Sequence, residues 1–137
     1  MPEDVTSQPH EPVKGGVVPY LTLDGAVAAA RFYEQALGAQ IMSMVEPDAD
    51  GRTMHIHLYL NGSSIMLSDA YPDHGHPYRP AQGMTLMLMV EDIHAAYGRA
   101  VDAGCEATLK PDKMFWGDTY GEFRCPYGVS WSMNQPG

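Results

Sequence analysis

Residues 17–38 read VVPYLTLDGAVAAARFYEQALG, and this stretch decides the fold. Its first part, Val17 to Leu23, is short, β-branched and aromatic, which predicts a strand. Pro19 has no amide donor and moves that strand toward an edge or end position. Asp24 follows as the expected N-cap, its carboxylate placed to accept from orphan backbone amides. From there Ala29, Phe32, Tyr33, Ala36 and Leu37 recur at helical spacing and make one apolar face. Gly38 ends the helix, because glycine takes the left-handed conformation that follows a last turn.

Three strands should follow. Ala39–Glu46 is the first, and Pro47-Asp48-Ala49-Asp50-Gly51 is a turn. Arg52–Leu60 alternates, with Met54, Ile56, Leu58 and Leu60 on one face and His55, His57 and Tyr59 on the other. Asn61-Gly62 is a strong hairpin signal, and Ser64–Ser68 is the returning strand. Residues 70–83, AYPDHGHPYRPAQG, form a polar connection rich in Pro, Gly and His.

The order then begins again in residues 84–104, MTLMLMVEDIHAAYGRAVDAG. Met84–Val90 is an apolar strand and Asp92 caps a helix. Ile93, Ala96, Tyr97, Ala100 and Val101 repeat the first helix's apolar face, each 64 positions later. Gly104 ends this helix. Strands follow at about 105–115, 118–125 and 129–134, divided by Trp116-Gly117 and Pro126-Tyr127-Gly128. The chain is thus read as an α+β fold of two tandem βαβββ modules. Each helix covers the outer face of its curled mixed sheet, and the other faces either curl around a shared cavity or stay wet. The predicted boundaries are a flexible tail at 1–15, a first module at 16–69, a linker at 70–83 and a second module at 84–135.

Composition narrows the function. Of the 137 residues, 45% are hydrophobic and 18% charged, which excludes a disordered chain. The 8 basic residues against 17 acidic ones give a net charge of −9. That field opposes nucleic acid and anionic membranes, and suits neutral or cationic partners. Residues 1–14 carry three prolines and no apolar run, so no targeting or membrane segment is read. The expected location is the cytoplasm. Cys105 and Cys125 are two small apolar residues in a reducing compartment, or a pair across neighbouring strands.

Chemistry-bearing groups are few. No G-x-S-x-G, phosphate loop or cysteine with a motif partner is present. His55 and His57 project from one strand face, and Asp73, His74 and His76 share the linker. Each set is a conceivable metal site or a half-wet polar surface. His10 and His94 read as surface groups. Asp118 and Glu122 alternate with Tyr120, so paired carboxylates or solvated charges are both open. The methionines other than the initiator fall in predicted strands: Met42, Met44, Met54, Met66, Met84, Met87, Met89, Met114 and Met133. They fill the core or, for Met66 and Met84, line a cavity. Trp116 either caps that cavity or staples its hairpin, and Tyr20 offers a ring with a polar tip. Trp131 points to the helix side.

The chain resembles the vicinal-oxygen-chelate superfamily of glyoxalases, bleomycin-resistance proteins and extradiol dioxygenases. The resemblance rests on Ala30-Arg31-Phe32-Tyr33 to Ala36-Leu37-Gly38. Met114-Phe115-Trp116-Gly117-Asp118-Thr119-Tyr120-Gly121 and Pro126-Tyr127-Gly128 are similar to its PhnB-like branch. That branch usually has an acidic residue where this chain has Cys125, and a histidine where it has Val129. The superfamily's enzymes hold a divalent metal through four strands, and the matching positions here are Val18, Met66, Met84 and Ser132. None is a usual ligand for such an ion, and a one-residue slip in either direction does not restore the set. The resemblance therefore implies no metal, no other cofactor and no assigned catalytic residue. The expected ligand-binding residues are Val18, Tyr20, His57, Met66, Met84, Trp116, Asp118, Tyr120 and Ser132. By parity Thr22 and Ser130 join them. The expected function is metal-independent binding of a small apolar, aromatic or cationic molecule in a homodimer cavity, as in antibiotic sequestration. The alternatives are a glyoxalase- or dioxygenase-type enzyme with a displaced metal, and a domain that mediates assembly.

Overall fold

The computed structural model describes residues 11–137. His10 and most of the predicted tail lie outside the described residues. The first repeat forms β1 (Tyr20–Leu23), α1 (Ala26–Leu37), β2 (Gln40–Met44), β3 (Ile56–Leu60) and β4 (Ser63–Asp69). A single 3-10 turn, Pro72–His74, follows. The second repeat forms β5 (Leu86–Met89), α2 (Ile93–Ala103), β6 (Glu106–Lys113), β7 (Thr119–Arg124) and β8 (Ser130–Gln135). The βαβββ order thus occurs twice in an α+β fold. The chain divides into two compact units between Arg79 and Pro80. Among the described residues no helix is long and apolar enough to cross a membrane.

The first unit is a four-stranded mixed sheet of order β1-β4-β3-β2, with β1 parallel to β4. Leu21, Leu67 and Ile56 lie side by side across three strands, and all are buried. Helix α1 covers this face with Ala26, Ala29, Ala30, Tyr33 and Ala36. Four alanines let the helix axis approach the sheet closely, and Tyr33 fills the remaining volume. Asn61 and Gly62 both take positive φ, 55° and 83°, as a two-residue type I′ hairpin requires.

The helix start differs from expectation. Asp24 is exposed and is not the cap; Gly25 holds that position with φ 94° and no side-chain cap of its own. Asp69, at the end of β4, supplies the carboxylate instead. Its Oδ1 accepts from Gly25 N–H at 3.0 Å and Ala26 N–H at 2.8 Å. Its Oδ2 accepts from Thr53 N–H at 2.8 Å. That bond also explains a shortened strand. The expected run Arg52–Leu60 pairs only from Ile56, because Thr53 N–H is bonded to Asp69 and Thr53 Oγ1 donates to Val45 O at 2.6 Å. Similarly, the strand expected from Val17 starts at Tyr20.

Arg52 ties the 48–52 turn to the start of the linker. It donates to Asp73 at 2.8 Å, and its guanidinium lies 4.6 Å over the Tyr71 ring centroid. Beside it Asp73 holds its carboxyl below the usual range, chiefly through that hydrogen bond.

The second unit repeats the topology as β5-β8-β7-β6, with β5 parallel to β8. Trp131, Phe123 and Met133 are buried on the α2 side, with Trp131 and Phe123 stacked at 6.5 Å. Tyr97 of α2 donates to Glu122 O at 2.8 Å, which pins the helix to β7. Asp92 caps α2 as expected, accepting from Ala95 N–H at 3.2 Å. The strand expected at Met84–Val90 begins at Leu86, after Gly83 turns the chain with φ 72°. Met84, Met54 and Met114 therefore lie outside strands, contrary to expectation. Cys105 and Cys125 are buried and form no disulfide. Continuing the Glu106↔Arg124 register by one step sets them opposite each other.

Candidate functional site

In each unit the helix occupies one sheet face, and Tyr20, His57, Met66, Tyr120 and Ser132 fall on the other. In the first unit Tyr20, Met66, His57 and Ser43 form one row across all four strands. The pleat therefore puts their side chains on the helix-free side. Tyr20 is half exposed, and its hydroxyl sits 3.0 Å from His55 Nδ1 and 3.3 Å from Met54 O. Burial raises the Tyr20 pKa, so the hydroxyl keeps its proton and can donate.

The expected half-wet histidine face is only partly wet. His57 is 4% exposed, and its Nε2 lies 2.7 Å from Ser64 Oγ. The reason lies in a segment expected to be a free tail. Lys14 N–H donates to Ser64 Oγ at 2.8 Å, and Ser64 N–H donates to Lys14 O at 2.9 Å. Tyr59 donates to Pro12 O at 2.6 Å beneath the Lys14 ammonium, 4.1 Å from its ring centroid. Residues 12–14 thus strap one end of the face. Burial, followed by the neighbouring His55, pushes the His57 pKa down, with Glu11 acting weakly the other way. The two imidazoles engage different partners, His55 with Tyr20 and His57 with Ser64.

In the second unit the corresponding row is Met87, Ser132, Glu122 and Leu109. Tyr120 and Asn134 form the next row toward the β6–β7 hairpin. Ser132 hydrogen-bonds the Tyr120 hydroxyl, which donates to Glu122 Oε2 at 2.8 Å. Burial is the main cause that raises the Tyr120 pKa. Trp116 packs edge-on against Tyr120, ring centroids 6.0 Å apart, and remains 50% exposed. Asp118 accepts from Asn134 Nδ2 at 2.9 Å and Gly137 N–H at 3.0 Å. Those bonds lower its pKa and occupy it structurally.

The predicted residues thus fall into groups. Tyr20, His57 and Met66 share the first face; Trp116, Asp118, Tyr120 and Ser132 gather on the second. Val18 and Met84 stand two residues ahead of β1 and β5, outside the sheets. Register places Met87, not Met84, beside Ser132. Several residues of these faces, among them Glu122, Ser64, Met87 and Asn134, were absent from the expected binding set. Strand alternation with Tyr120 and with Met66 was the signal that could have found Glu122 and Ser64. A groove of about 360 Å³ on the opposite side, between α2 and β6, is lined by His94, Tyr97, Val101, Lys110 and Pro111. It contains none of the expected residues.

The profile of the Glyoxalase/Bleomycin resistance protein/Dioxygenase superfamily matches residues 21–133. The chain belongs to this superfamily. An uncharacterized protein of Mycobacterium bovis, Mb0911c, is 34% identical over 130 residues, covering 90% of this chain and 85% of its own. The crystal structure of PA1353 from Pseudomonas aeruginosa superposes with a TM-score of 0.72 at 28% identity, covering 88% of this chain and 96% of that one. TnmS3, an antibiotic binding protein from Streptomyces sp. CB03234, superposes with a TM-score of 0.67 at 21% identity, covering 93% of this chain and 100% of that one.

The superfamily's metal can be tested against the donors present. Val18, Met66, Met84 and Ser132 offer two thioethers, one hydroxyl and no imidazole or carboxylate. Hard and borderline divalent ions select against that set. Among the described residues no group of three or more His, Cys, Asp or Glu is placed to hold a metal. The residues present do not fit the superfamily's ion.

Proposed function

We propose that this chain binds a small, largely apolar or aromatic molecule on its helix-free sheet faces, without a metal ion, and does so as a homodimer. The observation that carries the reading is the composition of the two rows, Tyr20–Met66–His57 and Met87–Ser132–Glu122. Within these rows Met66 and Ser132, a thioether and a hydroxyl, stand at positions where the superfamily's metal enzymes carry His, Gln or Glu. Methionine adapts to irregular apolar shapes, and Trp116, Tyr120 and Tyr20 add ring faces for a flat ligand. TnmS3, whose structure is similar, is an antibiotic binding protein, and this agrees with the reading. A cytoplasmic location is part of the proposal, and two cysteines not joined in a disulfide agree with it.

The test is calorimetric titration of chelator-treated protein with planar aromatic antibiotics, with Trp116 fluorescence followed in parallel. Saturable binding unchanged by added Mn, Co, Ni or Zn is the expected result. Binding that appears only when a metal is restored would overturn it.

A second reading is an enzyme that works without the superfamily's metal. The Ser132–Tyr120–Glu122 chain favours it, since a carboxylate hydrogen-bonded to a phenol can take a proton from a bound substrate. Turnover of an aldehyde or dicarbonyl substrate that is lost in Glu122→Gln would move this reading first.

A further inference from the structure

We infer that the ligand carries a cationic nitrogen beside its flat ring, and that Glu122 receives that nitrogen. The inference rests on the binding reading above. Glu122 stands in the middle of the second face, flanked across the sheet by Ser132 and Leu109. Tyr120 holds its Oε2 at 2.8 Å, which fixes the carboxylate and leaves Oε1 for another donor. The ion pairs among the described residues use Arg31, Arg52 and His74, none of which reaches Glu122. Arg124, two residues along the same strand face, donates instead to Ser130 Oγ at 3.1 Å and Gly128 O at 3.3 Å. Glu122 is therefore a partly buried carboxylate that is hydrogen-bonded by a neutral phenol and forms no ion pair among the described residues.

Removing a charge from water without a counter-ion is unfavourable, and an incoming cation relieves that cost. Of the other carboxylates on this face, Asp118 is taken by Asn134 and the Gly137 amide, and Glu106 and Asp112, in the Arg124 and Tyr120 rows, are exposed on β6 and keep their hydration. Aromatic groups stand beside the carboxylate. Trp116 contacts Tyr120 edge-on, and Phe115, 98% exposed, contacts Trp116 at 5.0 Å. A ring face near a carboxylate suits an ammonium or amidinium group attached to an arene, through stacking and cation–π attraction. The chain's net charge of −9 draws the same class of molecule toward the protein.

The test uses matched probes: arylmethylammonium ions and the corresponding arylmethyl alcohols, with one, two and three fused rings, titrated calorimetrically into the full chain. In the wild type the ammonium member should bind about tenfold tighter than its alcohol, the size expected of one charge-assisted hydrogen bond. The preference should shrink at high ionic strength. Glu122→Gln, nearly isosteric, should bring the ratio of ammonium to alcohol affinity to about one. Equal affinities in the wild type would overturn the cation and leave the binding reading standing. A preference that survives in Glu122→Gln would overturn the assignment of Glu122. If no member of any pair binds, the binding reading fails and this inference with it.

Discussion

Asp69 Oδ1 lies 2.8 Å from the backbone N–H of Ala26, a residue 43 positions earlier in the chain. One buried carboxylate thereby joins the end of β4, the first turn of α1 and the Thr53 amide of the 47–55 loop. It also places a negative charge at the positive end of a helix. Replacing it with alanine leaves backbone donors without partners. Asp69→Ala should cost about 3 kcal/mol, and Asp69→Asn, which keeps one acceptor oxygen, about 1–2 kcal/mol. Urea unfolding measures both. A loss in Asp69→Ala no larger than that of an exposed aspartate such as Asp24→Ala would contradict the linking role.

His57 should make stability depend on pH. Its pKa in the folded chain lies below the ordinary histidine value, through burial and then His55. Above about pH 6.5 both the folded and unfolded forms are neutral, and the group contributes no slope. As pH falls below that value the unfolded chain takes up a proton that the folded chain resists, so stability drops toward the folded pKa. His57→Gln should flatten this limb of a melting-temperature profile. An unchanged limb would show that other groups set it.

Gly121 meets the bulged part of β6. A Cβ built there would lie 3.1 Å from Leu109 O and from two atoms of Pro111. These are backbone and ring atoms with little freedom to retreat. Gly121→Ala should cost about 1–3 kcal/mol, as overpacking does, and shift the amide resonances of β6 more than those of β5. A neutral substitution would mean that the strand can slide outward.

The cysteines should be silent in the native protein. Burial pushes the Cys105 thiol up to about 12, with Cys125 adding to the effect. A water-soluble disulfide reagent should therefore titrate neither thiol until the chain unfolds, and then both. Rapid labelling of the native form would contradict the burial of this strand pair.

Local patterns made much of the architecture legible. The 64-residue offset between Ala29 and Ile93 marks two copies of one helix, and Asn61-Gly62 marks a hairpin that forms as expected. Asp92 was readable as a cap because its partner, Ala95, lies within one turn. Asp24 was misleading for the complementary reason: the group that caps α1 is Asp69, and no local rule joins positions so far apart. The burial of His57 was hidden likewise, since Pro12 and Lys14 carry no apolar pattern that announces a strap. The ends of β5 were obscure because Met84–Val90 has almost no alternation to distinguish strand from approach. Strand alternation in the sequence matches the helix-free side on which the pleat puts Tyr20, Met66 and Ser132. It left open which carboxylate is free, because hydrogen bonding to Asn134 and Tyr120 decides that.

The methionines along the helix-free face of β5 have a chemical consequence of their own. Met87 and Met89 are exposed, whereas Met133 is buried against α2. Peroxide converts an accessible thioether to a sulfoxide, which is polar, chiral and enzymatically reversible. Strand pairing uses the backbone, so such a change would leave the sheet intact while altering the polarity of its surface. Oxidative damage would then show first as altered recognition, and unfolding would lag behind it.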